Sequence, residues 1–285
     1  MIGDDIIYEY PMCDRLVIIG DIHGDIKRLK TILIDAKIIN NNIEWIAKPP
    51  NTVVVQMGDQ IDSLNRDNSI PDWEVIDDVE VIYFTNLLDK FAKSKGGRFI
   101  SIIGNHEFMN VIGNYSYVSS KSMSNNETKR RELFKTGGKL SPILCNRPIV
   151  LKIGELLFCH AGLTDNHIMI LKKYNKNISY INRIWRNFVL HNNVLKEDKE
   201  IFDKILLDYE GILWTRNLGN KDELKKMLDS INCTFMFVGH TVMDGIKFYN
   251  EKVWLTDTGI SRSFGTDRYQ YMEIIGHHIY IKQIK

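Results

Sequence analysis

Five short apolar runs punctuate the chain, and each ends in a turn that carries polar, ligand-type residues. Residues 16–19 lead into Gly20-Asp21-Ile22-His23-Gly24-Asp25, residues 52–57 into Gly58-Asp59-Gln60-Ile61-Asp62, and residues 98–103 into Gly104-Asn105-His106-Glu107. Residues 156–159 end in His160-Ala161-Gly162, and residues 234–238 in Gly239-His240-Thr241. Runs this short and this rich in Val, Ile and Phe predict buried strands. Between them the period becomes helical. Ile26, Leu29, Ile32, Leu33 and Ala36 predict a helix capped by Asp25 and ending near residue 37. Val75, Val79, Ile82, Tyr83, Asn86, Leu87 and Phe91 predict a longer one, stopped by Gly96-Gly97.

The remaining pattern completes the outline. Residues 1–14 read as a lead-in with an edge strand, residues 63–71 as a polar loop, and residues 149–159 as a hairpin turning at Gly154. Residues 164–229 read as mostly helical, and from Thr234 onward the pattern is strand after strand, with turns at Asn250-Glu251 and Gly276-His277. Residues 108–142, rich in Ser, Asn, Gly and charge, read as an insertion over the site. There are no repeats and no Gly- or Pro-rich boundary, so residues 1–285 are expected to form a single domain. Strand–helix alternation followed by antiparallel hairpins predicts an α/β fold: a four-layer α/β/β/α sandwich of two mixed sheets, with the site loops along one sheet edge.

Composition narrows the function classes. Lys+Arg 37 against Asp+Glu 36 leaves a net charge of +1, so nothing favours nucleic acid or an anionic membrane as partner. The basic run Lys129-Arg130-Arg131, interrupted by Glu127 and Glu132, reads as a solvated helix face. Cys13, Cys145, Cys159 and Cys233 show no CxxC spacing and read as reduced structural thiols. The start, MIGDDIIYEY, has no secretory pattern, and no apolar run approaches 18 residues; a soluble cytoplasmic protein is expected.

The turns carry the chemistry. In extended chain Asp21 and His23 point to one side. A carboxylate with an imidazole suits a divalent cation of the manganese, iron or zinc kind. No cysteine is followed six positions later by arginine, and neither a Walker A pattern nor HExxH is present. Water, rather than a side chain, is the expected nucleophile.

The ordered set GDIHGD, GDQID, GNHE, HAG and GHT resembles the calcineurin-like metallophosphoesterase superfamily, in its phosphoprotein-phosphatase branch. Leu213-Trp214-Thr215-Arg216 and Asp257-Thr258-Gly259-Ile260-Ser261 resemble the Shewanella-like, bacterial-type group within it. The resemblance implies two divalent cations, manganese first and iron or zinc next. Asp21 and His23 would hold one, Asp59 would bridge both, and Asn105, His160 and His240 would complete the other. It further implies in-line attack on phosphorus by a hydroxide shared between the cations. His106 would protonate the leaving alkoxide, with Asp62 orienting it.

One position departs from the pattern. Where the family places a phosphate-gripping arginine, this chain has Ser63. The candidates to replace it are Arg66, Arg183, Arg186 and Arg216, with Arg183 or Arg186 together with Arg216 favoured. The expected activity is hydrolysis of phosphate monoesters, on phosphoserine or phosphothreonine and also phosphotyrosine of proteins. The alternative is a hydrolase of dinucleoside polyphosphates or RNA caps on the same metal site. A catalytically silent scaffold fits poorly with seven intact chemical residues. Outside the motifs plainer roles are expected. His167 and His191 read as surface residues, His277 and His278 as hairpin-turn residues, and Cys159 as core. Trp45, Trp73, Trp185 and Trp254 read as packing, Trp214 as either packing or support for the site, and Glu107 as a support behind the ligands or a structural residue.

Overall fold

The computed structural model describes residues 8–64, 78–123 and 127–284. In chain order the first strands and helices are β1 (Glu9–Tyr10), β2 (Arg15–Ile19), α1 (Ile26–Asp35), β3 (Val53–Gln56), α2 (Val79–Ser94), β4 (Arg98–Ser101) and α3 (Asn105–Val111). Then come α4 (Ser120–Met123), α5 (Glu127–Phe134), α6 (Ser141–Leu144), β5 (Val150–Ile153) and β6 (Leu156–Cys159). A helical stretch follows: α7 (Asp165–Lys173), α8 (Ser179–His191), α9 (Lys199–Ile201), which runs on as a π-helical segment over Phe202–Leu207, and α10 (Lys221–Asp229). The chain closes with β7 (Phe235–Val238), β8 (Lys247–Tyr249), β9 (Val253–Leu255), β10 (Tyr269–Ile275) and β11 (His278–Ile284). The strand that the sequence suggested in the lead-in is β1, at the edge of a sheet. The long second helix begins at Val79; Val75 and Trp73 lie outside the described residues.

Two mixed sheets result. One has the order β1-β5-β6-β7-β9-β8, the other β11-β10-β2-β3-β4. The alternation of side chains along each strand sorts the core into layers. Leu16, Ile18, Val53, Val55 and Ile100 face Leu151, Ile153, Phe158 and Phe237 across the gap between the sheets. Their neighbours Val17, Ile19, Val54 and Phe99 point the other way, onto Leu29, Ile32 and Leu33 of α1 and Leu88 and Ala92 of α2. On the far side, Val150, Leu157, Cys159 and Met236 meet Phe108, Phe134, Ile181 and Trp185 from the second helical layer. The central strands β2, β3, β6 and β7 are therefore apolar on both faces, which is why their runs read as nearly continuous rather than alternating. The four-layer α/β/β/α expectation holds.

β2, β3 and β4 are mutually parallel, and so are β6, β7 and β9. Their C-terminal ends therefore emerge on one edge of each sheet, and the loops that leave them meet there. Local chemistry holds the loops in place. Asp25 caps α1 by accepting from the Arg28 amide at 3.2 Å, and the amides of Ile22 and His23 donate to the Asp59 carbonyl at 3.0 and 2.8 Å. The loops after β2 and β3 are thus one hydrogen-bonded unit. No helix among the described residues is long and apolar enough to cross a membrane.

Candidate metal centre and active site

Asp59 stands at the middle of the converging loops. Its Oδ1 accepts the His106 amide at 2.9 Å. Its Oδ2 faces three imidazoles: His160 Nε2 at 3.2 Å, His106 Nε2 at 3.7 Å and His23 Nε2 at 3.8 Å. Asn105 Oδ1 lies between His160 Nε2 at 2.9 Å and His240 Nδ1 at 3.0 Å. Asp21 Oδ2 is 4.0 Å from His23 Nε2 and accepts the His240 amide at 3.0 Å. Ligand atoms converge in two groups, His23–Asp59–His106 and Asp59–His160–His240, and Asp59 is the member they share.

The donor set fits divalent cations in its detail. His23 Nδ1 donates to the Ile61 carbonyl, His160 Nδ1 to the Met57 carbonyl, and His240 Nε2 to the Trp214 carbonyl, at 3.2, 2.8 and 2.9 Å. In each case a backbone acceptor takes one ring N–H and orients the other nitrogen into the cluster, the pose of a metal-ligating imidazole. Asp21 Oδ1 is buried and has no hydrogen-bond partner among the described residues. Buried acids without enough cations are costly. Burial, then the nearby Asp257 and Asp59 carboxylates, push the Asp21 carboxyl well above its usual range. Burial also works against the Asp59 carboxylate, but the facing His160, His106 and His23 overcome it and hold that group well below the usual range. Burial, and then His160, push the His240 imidazole down to about 3, so it is neutral and ready to ligate at neutral pH.

The backbone bends sharply to bring these groups together. His23, Asp59, Asp62 and His240 all adopt left-handed φ, at 41°, 49°, 68° and 64°. Such conformations cost about 1–3 kcal/mol each in a non-glycine residue and persist only where the surroundings enforce them. Two glycines give the carboxylates room. A Cβ at Gly104 would press into Asp59 Oδ1 and the Asp59 amide, and a Cβ at Gly239 into Asp21 Oδ1.

Beneath the ligands lies a scaffold of buried polar groups. Glu107 accepts three amides with one carboxylate: Asp59 at 3.0 Å, Gln60 at 2.7 Å and Gly104 at 2.8 Å. Gln56 donates to the carbonyls of Gly20 and Gly58 and accepts from Gln60 Nε2, whose own Oε1 receives Arg147 Nη1. Burial pushes the Arg147 guanidinium down to about 10. Glu107 as a structural residue matches its place here. Gln56, Arg147 and Asn110 went unread because lone polar residues in apolar stretches carry no spacing signal.

The other expected residues fall into place or elsewhere. His106, a member of the first ligand group through Nε2, has its Nδ1 2.8 Å from Asp62 Oδ2, so the two form a dyad that leads out of the cluster. Tyr117 sets its ring edge against His106 with centroids 5.0 Å apart, and Phe264 packs against His23 at 5.2 Å. Ser63, at the position of the missing arginine, is buried and its Oγ donates to Ser119 Oγ at 3.3 Å. Arg216 is exposed, and its charge is close enough to help lower the His240 imidazole. Arg183 and Arg186 are engaged away from the ligand loops. α8 is docked to β5 through Asn182, and Arg183 stacks over Tyr180 while Arg186 Nη1 donates to the Cys145 carbonyl and to Asn146. Arg66 lies outside the described residues. Trp214 supports the site through its carbonyl, and its indole donates to the Leu206 carbonyl.

Two plain readings need correction. Arg130 is not on a solvated face: it is 4% exposed and ion-paired with Asp62 and Asp78. The alternating charge around it hid an inward-pointing residue, since α5 rests on the site loops and not on the sheet alone. His167 is not a surface residue either. It is 1% exposed, its Nδ1 accepts the Thr164 amide at 3.1 Å, and its Nε2 donates to the Glu210 carbonyl at 3.0 Å, closing the start of α7.

Burial pushes the His167 imidazole from 6.5 down to about 4. Below pH ~6.5 the unfolded chain takes up a proton that the folded one refuses until about pH 4. Stability is therefore lost as pH falls through that window, by up to about 3 kcal/mol from this residue. Thermal unfolding midpoints should drop less between pH 7 and pH 4.5 in His167→Gln than in the parent. Parallel slopes would assign the acid sensitivity to other groups.

Comparison with known proteins agrees with this geometry. Residues 14–244 match the family model described as calcineurin-like phosphoesterase. The chain is 30% identical to Shewanella-like protein phosphatase 1 of Plasmodium berghei (strain Anka), over 93% of this chain and 73% of that protein. It is also 30% identical to an uncharacterized protein of Acanthamoeba polyphaga mimivirus, over 55% of this chain and 75% of the relative. In structure it is similar to the cold-active protein-tyrosine phosphatase of a psychrophilic Shewanella species, with a TM-score of 0.77 at 22% identity over 99% of this chain and 83% of that one. A protein serine/threonine phosphatase from Saccharomyces cerevisiae aligns with a TM-score of 0.63 at 14% identity, over 99% of this chain and 84% of the other. Paired ligand groups at the edge of two facing sheets, and a family match spanning most of the chain, lead to one conclusion: the chain belongs to the calcineurin-like phosphoesterase family and is a hydrolytic phosphatase.

Proposed function

We propose that this phosphatase removes phosphate from phosphoserine and phosphothreonine side chains of proteins, and also from phosphotyrosine. The observation that carries the reading is Asp59, shared between two ligand groups and flanked by the His106–Asp62 dyad. Asp21, His23 and Asp59 would hold one divalent cation, and Asp59, Asn105, His160 and His240 a second, with manganese the first candidate. When bound, the pair supplies Lewis acidity and an acidified water at the phosphorus.

The chain's own groups do the rest. Asp62 accepts the His106 Nδ1 proton, which turns Nε2 toward the centre, where it protonates the leaving oxygen. An alkyl oxygen leaves poorly without that proton. Arg216, in the loop whose Trp214 carbonyl holds His240, supplies positive charge for the phosphoryl oxygens. The exposed ring of Tyr117 beside His106 can pack against a phenyl group or a base, and so keeps nucleotide substrates as the second reading.

The test is a panel. Manganese-loaded protein and His106→Asn are assayed on phosphoserine, phosphothreonine and phosphotyrosine peptides, p-nitrophenyl phosphate, diadenosine tetraphosphate and capped RNA. The expected result is phosphate release from the peptides. His106→Asn should slow phosphoserine turnover about 10²–10⁴-fold, and p-nitrophenyl phosphate, whose leaving group needs little help, far less. Cleavage of the nucleotides alone would move the substrate class. Equal losses on alkyl and aryl esters would remove His106 as the acid.

A further inference from the structure

Arg130 reaches from α5 into the back of the dyad, and none of its donor nitrogens is idle. Nη2 donates to Asp62 Oδ1 at 2.8 Å and to Asp78 Oδ2 at 3.0 Å, Nη1 to Asp78 Oδ1 at 2.9 Å, and Nε to Asn110 Oδ1 at 2.7 Å. Asn110 Nδ2 in turn donates to both oxygens of Asp62 at 2.9 Å and to the His106 carbonyl at 2.9 Å. Asp78 Oδ2 also accepts the Asp62 amide at 2.8 Å. Two buried carboxylates, Asp62 and Asp78, therefore lie side by side with one guanidinium between them.

We propose that Arg130 is a positioning residue for the leaving-group acid: it clamps Asp62 so that Asp62 Oδ2 meets His106 Nδ1. Asp62 cannot hold this pose by its own means. It is fully buried, sits in a left-handed backbone conformation, and has the Asp78 carboxylate against its own amide. Without the cation, repulsion between the two carboxylates favours turning Asp62 away, which releases the His106 ring. A planar fork suits this task and an ammonium does not, because two acids and an amide oxygen must be met at fixed angles. All of its donor nitrogens are committed to buried partners, so Arg130 is not a substitute for the phosphate grip missing at Ser63.

The inference rests on His106 being the acid, and the experiment separates the two. Metal-loaded parent, Arg130→Lys, His106→Asn and the double variant are compared on a phosphoserine peptide and on p-nitrophenyl phosphate, with metal content and unfolding midpoint measured for each. Arg130→Lys should lower kcat on phosphoserine about 10- to 100-fold with KM and metal content nearly unchanged, and affect p-nitrophenyl phosphate much less. The double variant should be no slower on phosphoserine than His106→Asn, because both changes remove the same function. Arg130→Gln removes the cation while keeping a hydrogen-bonding group beside both acids, and it should show the same substrate split if Arg130→Lys does not fold. Equal losses on both substrates, or additive losses in the double variant, would overturn the clamp while a split in His106→Asn leaves the acid standing. Absence of the split in His106→Asn itself would remove the acid assignment and the clamp with it.

Discussion

Asp59→Asn should lose both cation binding and turnover, with kcat/KM falling by about 10³-fold or more, over 4 kcal/mol of transition-state stabilisation. The change is nearly isosteric, so the fold has little reason to respond. What changes is the atom that faces His160, His106 and His23, at 3.2 to 3.8 Å. An amide is neutral there and either turns donor hydrogens toward the imidazoles or presents an uncharged oxygen, which holds divalent cations far less firmly than a carboxylate. Metal content after dialysis, measured beside turnover of p-nitrophenyl phosphate, decides the matter. Near-parental activity with a full complement of metal would remove Asp59 from its shared position.

Glu107→Ala should be the most destabilising single change among the site residues, by roughly 3–5 kcal/mol. One carboxylate accepts the amides of Asp59, Gln60 and Gly104, and its truncation leaves three buried N–H groups with no acceptor and a void beside them. Glu107→Gln offers no simple rescue, since its amide nitrogen would face donors. Urea unfolding of the parent and both variants provides the comparison. A midpoint for the glutamine variant close to the parent's would mean that water or a shifted loop satisfies those amides. The residue adjacent to His106 thus supports the backbone, while His106 itself turns toward Asp59 and Asp62.

The parts of this molecule that could be read from the sequence are those with a period or a spacing. Apolar runs buried on both faces, such as Leu16–Ile19 in β2 and Val53–Val55 in β3, announced their strands because nothing but a sheet interior tolerates them. The residues that follow each run declared themselves because a ligand-type side chain directly after a buried strand has few other uses. Arg130 gave no such sign. Its neighbours Lys129 and Arg131 carry the same charge and are exposed, and only tertiary contact selects the one that turns inward. His167 was hidden in the same way, since its partners are backbone groups of Thr164 and Glu210 that no pattern marks. Arg183 and Arg186 looked suited to phosphate by charge alone, and the docking of α8 on β5 directed them to Tyr180 and Cys145 instead. Charge in a sequence says what a residue can hold, and packing says what it reaches.

The six ligand-type residues come from both halves of the sandwich: Asp21, His23, Asp59 and Asn105 follow strands of the five-stranded sheet, whereas His160 and His240 follow β6 and β7 of the six-stranded one. A cation bound between them would act as a rivet through the seam, adding to the apolar contacts and to the few hydrogen bonds, such as His160 Nδ1 to the Met57 carbonyl, that already join the two layers. Stripping the metal should then loosen the seam at this edge first. Amides of the Gly58–Asp62 and Gly239–His240 turns would exchange with solvent early, while those in the middle of β2 and β6 stay protected.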